Sequence, residues 1–197
     1  MDGRADTAVT IGVWGGVSIE LAPRDAVSAD VAVAIAGVFA REIGRDTPGG
    51  GLGNLDAALG GAITRLRADG IFRAGLGDVL TLSAPARPIH ARTVLAIGLG
   101  DPAVWTPAVM RHAVATAVRE TIRRDAVSAA FAPSLLDSGL APDSVKGTPD
   151  AMLAGLIDAL ADDRTSTLSR WMFCVGAARF DGMVDVFRAA FGRLATR

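Results

Sequence analysis

Residues 29–39 read Ala-Asp-Val-Ala-Val-Ala-Ile-Ala-Gly-Val-Phe, an almost continuously apolar run with one charge, at Asp30. A half-exposed strand would alternate apolar and polar residues. A run without that alternation is expected of a central strand covered on both sides, the setting of a parallel sheet between helices. At 197 residues the chain is long enough to bury such a sheet in one domain of ordinary size, spanning residues 1–197.

The flanking segments fit this centre. Residues 7–14 place Val9, Ile11 and Val13 on one face, and Val17, Ile19 and Leu21 repeat the pattern after Gly15-Gly16, which predicts a hairpin with one buried face. Further strands are expected at 78–84, 93–99, 126–133 and 168–176. Thr106-Pro107 and Thr148-Pro149 each pair a capping residue with a proline suited to the first helical position, and Asp181 caps a last helix. Strand and helix alternate through the second half. The expected fold class is α/β, a three-layer α/β/α sandwich around a mixed sheet, antiparallel near the N-terminus and parallel inside.

A glycine-rich loop, Pro48-Gly49-Gly50-Gly51-Leu52-Gly53-Asn54, feeds into the next apolar pattern. Leu55, Ala58, Leu59, Ala62, Ile63 and Leu66 fall on one helical stripe, with Asn54 as the expected N-cap and Asp69-Gly70 as the stop. Gly60 and Gly61 lie inside that pattern, each costing about 1 kcal/mol against alanine in a helix. The expected reason is close approach of the helix backbone to a strand or to a ligand.

The chemistry on offer is narrow. His90 and His112 are far apart in sequence and no histidine, cysteine or carboxylate stands near either at metal-ligand spacing, so no metal site and no cofactor are expected. No Gly-x-Ser-x-Gly elbow occurs, and the single cysteine, Cys174, reads as a small core hydrophobe. Gly98-Leu99-Gly100 lacks the third glycine of a dinucleotide fingerprint. A net charge of −1 with arginines scattered singly argues against nucleic acid. Arg119, Arg123 and Arg124 form the one basic cluster, at a helix end where cations complement the dipole. No apolar run is long enough for a membrane span, and a cytoplasmic address is expected. Two loops at strand ends are the candidate ligand contacts. One is 47–54, whose backbone donors suit phosphate; the other is 134–147, which carries Asp137, Asp143 and Lys146.

Three segments then point to a family. The run Leu55-Asp56-Ala57-Ala58-Leu59-Gly60-Gly61-Ala62-Ile63, followed by Phe72-Arg73-Ala74-Gly75-Leu76-Gly77-Asp78 and Arg92-Thr93-Val94-Leu95-Ala96-Ile97-Gly98-Leu99-Gly100, resembles the N-terminal domain of leucyl (cytosol) aminopeptidases. The resemblance implies a macro-domain-like fold. Aminopeptidase activity in that family belongs to a C-terminal dimetal domain with an Asn-Thr-Asp-Ala-Glu-Gly-Arg signature, and these residues do not contain it. A looser likeness to macro domains implies that Asp25 would face adenine. It likewise implies that Gly49, Gly50, Gly51 and Gly53, with Gly60 and Gly61, stand at a first diphosphate loop and Gly139 at a second. Residues 34–37 lack the asparagine of ADP-ribose hydrolases, and the second loop lacks their Gly-x-aromatic-Gly pattern, so no catalytic residue is assigned. The expected function is a non-catalytic binding or interaction module. Its expected partner is a catalytic aminopeptidase-type chain or a second copy; the alternatives are a binder of ADP-ribose or a related nucleotide and, as a third possibility, a hydrolase of ADP-ribosyl or phosphoester bonds.

Overall fold

The computed structural model describes residues 7–44, 46–135, 138–163 and 166–196. Its strands are β1 (Val9–Trp14), β2 (Val17–Ala22), β3 (Val33–Phe39), β4 (Val79–Ser83), β5 (Thr93–Gly100), β6 (Ser128–Ala132) and β7 (Arg170–Cys174). They form one seven-stranded sheet in the order β1-β2-β7-β6-β3-β5-β4. Strands β2, β7, β6, β3 and β5 run parallel, and both edges, β1 and β4, are antiparallel to their neighbours. Five α-helices are found among the described residues: α1 (Gly50–Ala58), α2 (Ala62–Ala68), α3 (Pro107–Ile122), α4 (Thr148–Asp162) and α5 (Phe180–Ala195).

Side-chain parity along the strands separates two unequal layers. Val33, Ile35 and Phe39 of β3, Phe131 of β6, and Trp171 and Phe173 of β7 pack under α3, α4 and α5. Ala34 and Ala36, Ala130 and Ala132, and Met172 and Cys174 point the other way, under α1 and α2. Trp171, Phe173 and Phe187 are linked by ring contacts of 6.0 and 5.4 Å. Each such fully buried aromatic contributes roughly 1.5 to 3 kcal/mol. The alanine face lets two short helices sit close to the sheet. Helices α3 and α4 approach closely as well, since a Cβ at Gly155 would stand 2.3 Å from the Arg111 carbonyl oxygen.

The sandwich agrees with the sequence pattern, and the differences are local. In β1 the ladder slips between Thr10 and Gly12. Beyond that bulge the parity inverts: Gly12 and Trp14 turn to the core side and Val13, expected inside, is 62% exposed. The Phe191 ring of α5 fills the place a Gly12 side chain would take. The helix expected from Asn54 onward begins earlier, at Gly50, with Gly49 in the N-cap position and Asn54 inside the helix. It does not run through Gly60-Gly61. Both glycines adopt left-handed φ angles, 65° and 76°, and divide α1 from α2. Close approach is also not their reason, because nothing lies within 4 Å of a Cβ at Gly60 and only the Arg65 guanidinium lies near Gly61. The apolar stripe stays in phase because both helices bury the same side. Asp56, buried in α1, accepts from the Ile63 N–H at 2.8 Å and the Thr64 N–H at 3.3 Å, and so caps α2 from the preceding helix.

Of the other caps, that of α3 stands where expected and those of α4 and α5 shift by one or two residues. Thr106 holds the N-cap position of α3 without a side-chain hydrogen bond, Gly147 precedes α4 in place of Thr148, and Arg179 precedes α5, leaving Asp181 in the first turn. The basic cluster is structural. Arg119 pairs with Asp162 at 2.9 Å, and Arg123 and Arg124 both pair with Glu120. Burial alone would raise the Glu120 carboxyl, but those two guanidiniums hold it below its ordinary value.

Candidate functional site

The connections that leave β3 and β6 diverge. After β3 the chain passes to α1 on the alanine face, whereas after the adjacent β6 it passes to α4 on the opposite face. Neighbouring parallel strands with oppositely directed exits open a crevice at their carboxyl ends, where α/β sheets bind ligands. A cleft of about 650 Å³ lies at that place and extends over the ends of β2 and β7. Its first wall is polar: Asp25, Gly50, Gly51 and Asn54. Ala132 and Cys174, the last residues of β6 and β7, stand between the walls. Met152 of α4 and Met183, Val186 and Phe187 of α5 make the apolar second wall, and Arg24, Lys146 and Arg179 also line the space.

Asp25 is fixed by its own turn. Its Oδ1 accepts from the Val27 N–H at 3.1 Å, the Ser28 N–H at 3.0 Å and the Ser28 hydroxyl at 2.9 Å, while Oδ2 accepts from Asn54 Nδ2 at 3.3 Å. Burial pushes this carboxyl up, and the hydrogen bonds from Ser28, Asn54 and Val27 outweigh it, leaving the group below 3.8 and ionised at neutral pH. At the start of α1 the Gly53 N–H reaches back to the Gly49 carbonyl at 3.0 Å, and no side chain caps the helix. The amides of Gly50 and Gly51 precede that first helical bond and stand where a helix presents free donors. Cys174 is buried. Desolvation, with the Asp25 carboxylate adding to it and Arg24 opposing, pushes its thiol up to about 12.

Of the residues singled out in the sequence, Asp25, Gly50 and Gly51 come together in the cleft. Gly49 sits at the N-cap, and Gly53 lies within α1 with the Pro48 carbonyl where its Cβ would be. Gly60 and Gly61 belong to the junction of α1 and α2, outside the cleft lining, and Gly139 packs on Ile43. Asp143 pairs with Lys146 at 2.8 Å, both exposed, and Asp137 lies outside the described residues. Sequence reasoning missed Asn54, which reads as a cap but acts as the partner of Asp25. It also missed the apolar wall, since Met152, Met183 and Phe187 carry nothing beyond the spacing of helix core positions. Among the described residues, no group of three histidine, cysteine or acidic side chains could hold a metal ion, and no helix is long and apolar enough to cross a membrane.

The model of the cytosol aminopeptidase family N-terminal domain matches residues 35–160, from within β3 to the last turn of α4. The chain belongs to that family. A search of curated protein sequences gave no match to this aminopeptidase-family chain. Among solved structures, a tomato leucine aminopeptidase mutant superposes with a TM-score of 0.62 at 18% identity, over 88% of this chain and 36% of that one. An Oceanobacillus iheyensis macrodomain mutant with ADPR gives 0.68 at 14%, covering 98% of this chain and 100% of the other. The Trypanosoma brucei macrodomain in complex with ADP gives 0.63 at 17%, over 88% and 68%. This family member therefore has a macrodomain-like fold and spans about a third of the tomato enzyme's length.

Proposed function

We propose that the chain is a non-catalytic binding module that takes ADP-ribose or a related adenine nucleotide in the cleft at the carboxyl ends of β2, β6 and β7. The observation that carries this reading is the pairing of walls. Free amide positions at the start of α1 and an ionised carboxylate stand on one side, and on the other stands an apolar surface to which α5 contributes Met183 and the exposed Val186. The Gly50 and Gly51 amides neutralise a diphosphate without a lysine, Arg24, Lys146 and Arg179 add positive charge, and Asp25 Oδ2 accepts from an exocyclic amine. Fold neighbours determined with ADPR and with ADP support the ligand class. Of the first diphosphate loop read from the sequence, the reading keeps Gly50 and Gly51 as direct contacts.

The non-catalytic part rests on protonation. A general acid or base works best near the operating pH. Asp25 is held ionised and Cys174 is held as a neutral thiol, so neither is poised to move a proton near neutrality. Membership of the cytosol aminopeptidase family supports action as one domain in the cytoplasm. A second reading, docking to a catalytic aminopeptidase-type chain or to another copy, is favoured by the family match and by the tomato leucine aminopeptidase, a chain of which this fold covers 36%.

Calorimetric titration with ADP-ribose tests the first reading. Asp25→Asn keeps an oxygen for the Val27 and Ser28 turn, since asparagine caps as well as aspartate, but removes the charged acceptor. Loss of a charged hydrogen bond of about 1.5 to 3 kcal/mol weakens binding roughly 10- to 100-fold. A wild-type protein that gives no heat at millimolar ADP-ribose leaves the docking module as the surviving account.

A further inference from the structure

The polar wall of the cleft holds more information than a single carboxylate. Asn54 Nδ2 donates to Asp25 Oδ2 at 3.3 Å, and both side chains line the cleft. The other carboxylate oxygen is occupied by three donors from Val27 and Ser28, which fixes the plane of the carboxylate and leaves Oδ2 as its acceptor toward a ligand. An ionised carboxylate only accepts, so Asn54 must turn its nitrogen, not its oxygen, toward Asp25. That nitrogen carries two hydrogens, one committed to Asp25 and one left for a ligand. Side by side, the pair offers one acceptor and one donor.

We infer that Asp25 and Asn54 together read the edge of a nucleobase, selecting an amino group beside an unprotonated ring nitrogen and rejecting a carbonyl beside a ring N–H. The inference rests on the nucleotide reading above and adds Asn54 as its specificity-determining residue. In adenine the exocyclic amine donates to Asp25 Oδ2 while the adjacent ring nitrogen accepts from Asn54 Nδ2. Cytosine has the same pattern. Hypoxanthine, guanine and uracil reverse it, placing a carbonyl oxygen against the carboxylate and an N–H against the amide hydrogen. Paired donor and acceptor contacts of this kind discriminate bases by about 5- to 150-fold. The facing wall suits a flat heteroaromatic ring, because the half-buried Met183 offers a sulfur–ring contact and the exposed Val186 an apolar edge.

The test uses ADP and IDP, which differ only in the base edge. Calorimetry should show wild type preferring ADP at least 10-fold. Asn54→Ala should weaken ADP about 10-fold and IDP less than threefold. The fold is not at risk, since Asn54 is exposed within α1 and alanine is the better helix former, and an unchanged melting curve verifies it. Affinities for ADP and IDP within threefold of each other in wild type overturn the inference and leave the nucleotide reading intact. An Asn54→Ala variant that loses both ligands equally also overturns it, by showing that Asn54 only shapes the wall. No heat from ADP, IDP or ADP-ribose overturns the nucleotide reading and the inference together.

Discussion

Replacing Gly60 and Gly61 by alanine separates two accounts of the same sequence by the sign of the effect. In a continuous helix each alanine would add about 0.8 to 1.0 kcal/mol of stability over glycine. Here both residues sit at left-handed φ, 65° and 76°, where an L side chain costs roughly 1 to 2 kcal/mol. Packing adds nothing to confuse the result. A methyl group on Gly60 meets no atom within 4 Å, and one on Gly61 meets only Arg65 Nη1, at 3.3 Å on the free end of a flexible side chain. The Arg65 guanidinium, which donates to the Gly60 carbonyl, and Asp56, which caps α2, both hold the turn as it is. The double variant should therefore lose about 2 to 4 kcal/mol. In urea, with a slope of roughly 2 kcal/mol/M, a loss of about 3 kcal/mol lowers the midpoint by about 1.5 M at unchanged slope. A midpoint that stays or rises would refute the break between α1 and α2 and restore one helix.

Two further outcomes follow from the protonation states. Because the Asp25 carboxyl is depressed in the folded chain, its contribution to stability is fully present above the unfolded value near 4 and is lost as pH falls through the lower folded value; the stability gap between wild type and Asp25→Asn should stay constant above about pH 5 and close in acid, as measured by denaturant melts across pH. Cys174, buried with its thiol pushed up to about 12, should resist iodoacetamide at pH 8 in the native chain and react promptly in denaturant, and mass spectrometry showing rapid native alkylation would contradict its placement.

How much of this was legible in the sequence depends on what each feature responds to. The inner strands were readable because burial on both faces removes polar residues, as in β3, and the Thr-Pro pairs marked the starts of α3 and α4 to within a residue. The bulge in β1 was not, because it is a property of pairing with β2 and appears in sequence only as an innocuous Gly12. Periodicity also ran across Gly60-Gly61 without registering the break, since two helices that bury Leu55 and Ile63 on one face keep the stripe in phase. Phosphate-type donors at the glycine loop could be anticipated from composition. The Asp25–Asn54 contact could not, because it joins residues 29 apart in sequence, and asparagine before an apolar run ordinarily signals a cap.

The account's central claim, that the cleft between the start of α1 and the α4–α5 wall is a nucleotide site, is tested most directly by a heteronuclear NMR titration with ADP-ribose. Gly50, Gly51 and Asn54 line the cleft and report through their backbone and side-chain amides, whereas Gly60 and Gly61 stand outside it and serve as internal controls. The account predicts saturable shifts at the first three with Gly60 and Gly61 unmoved. Absence of shifts at millimolar ligand, or shifts centred on residues outside the cleft, would contradict it.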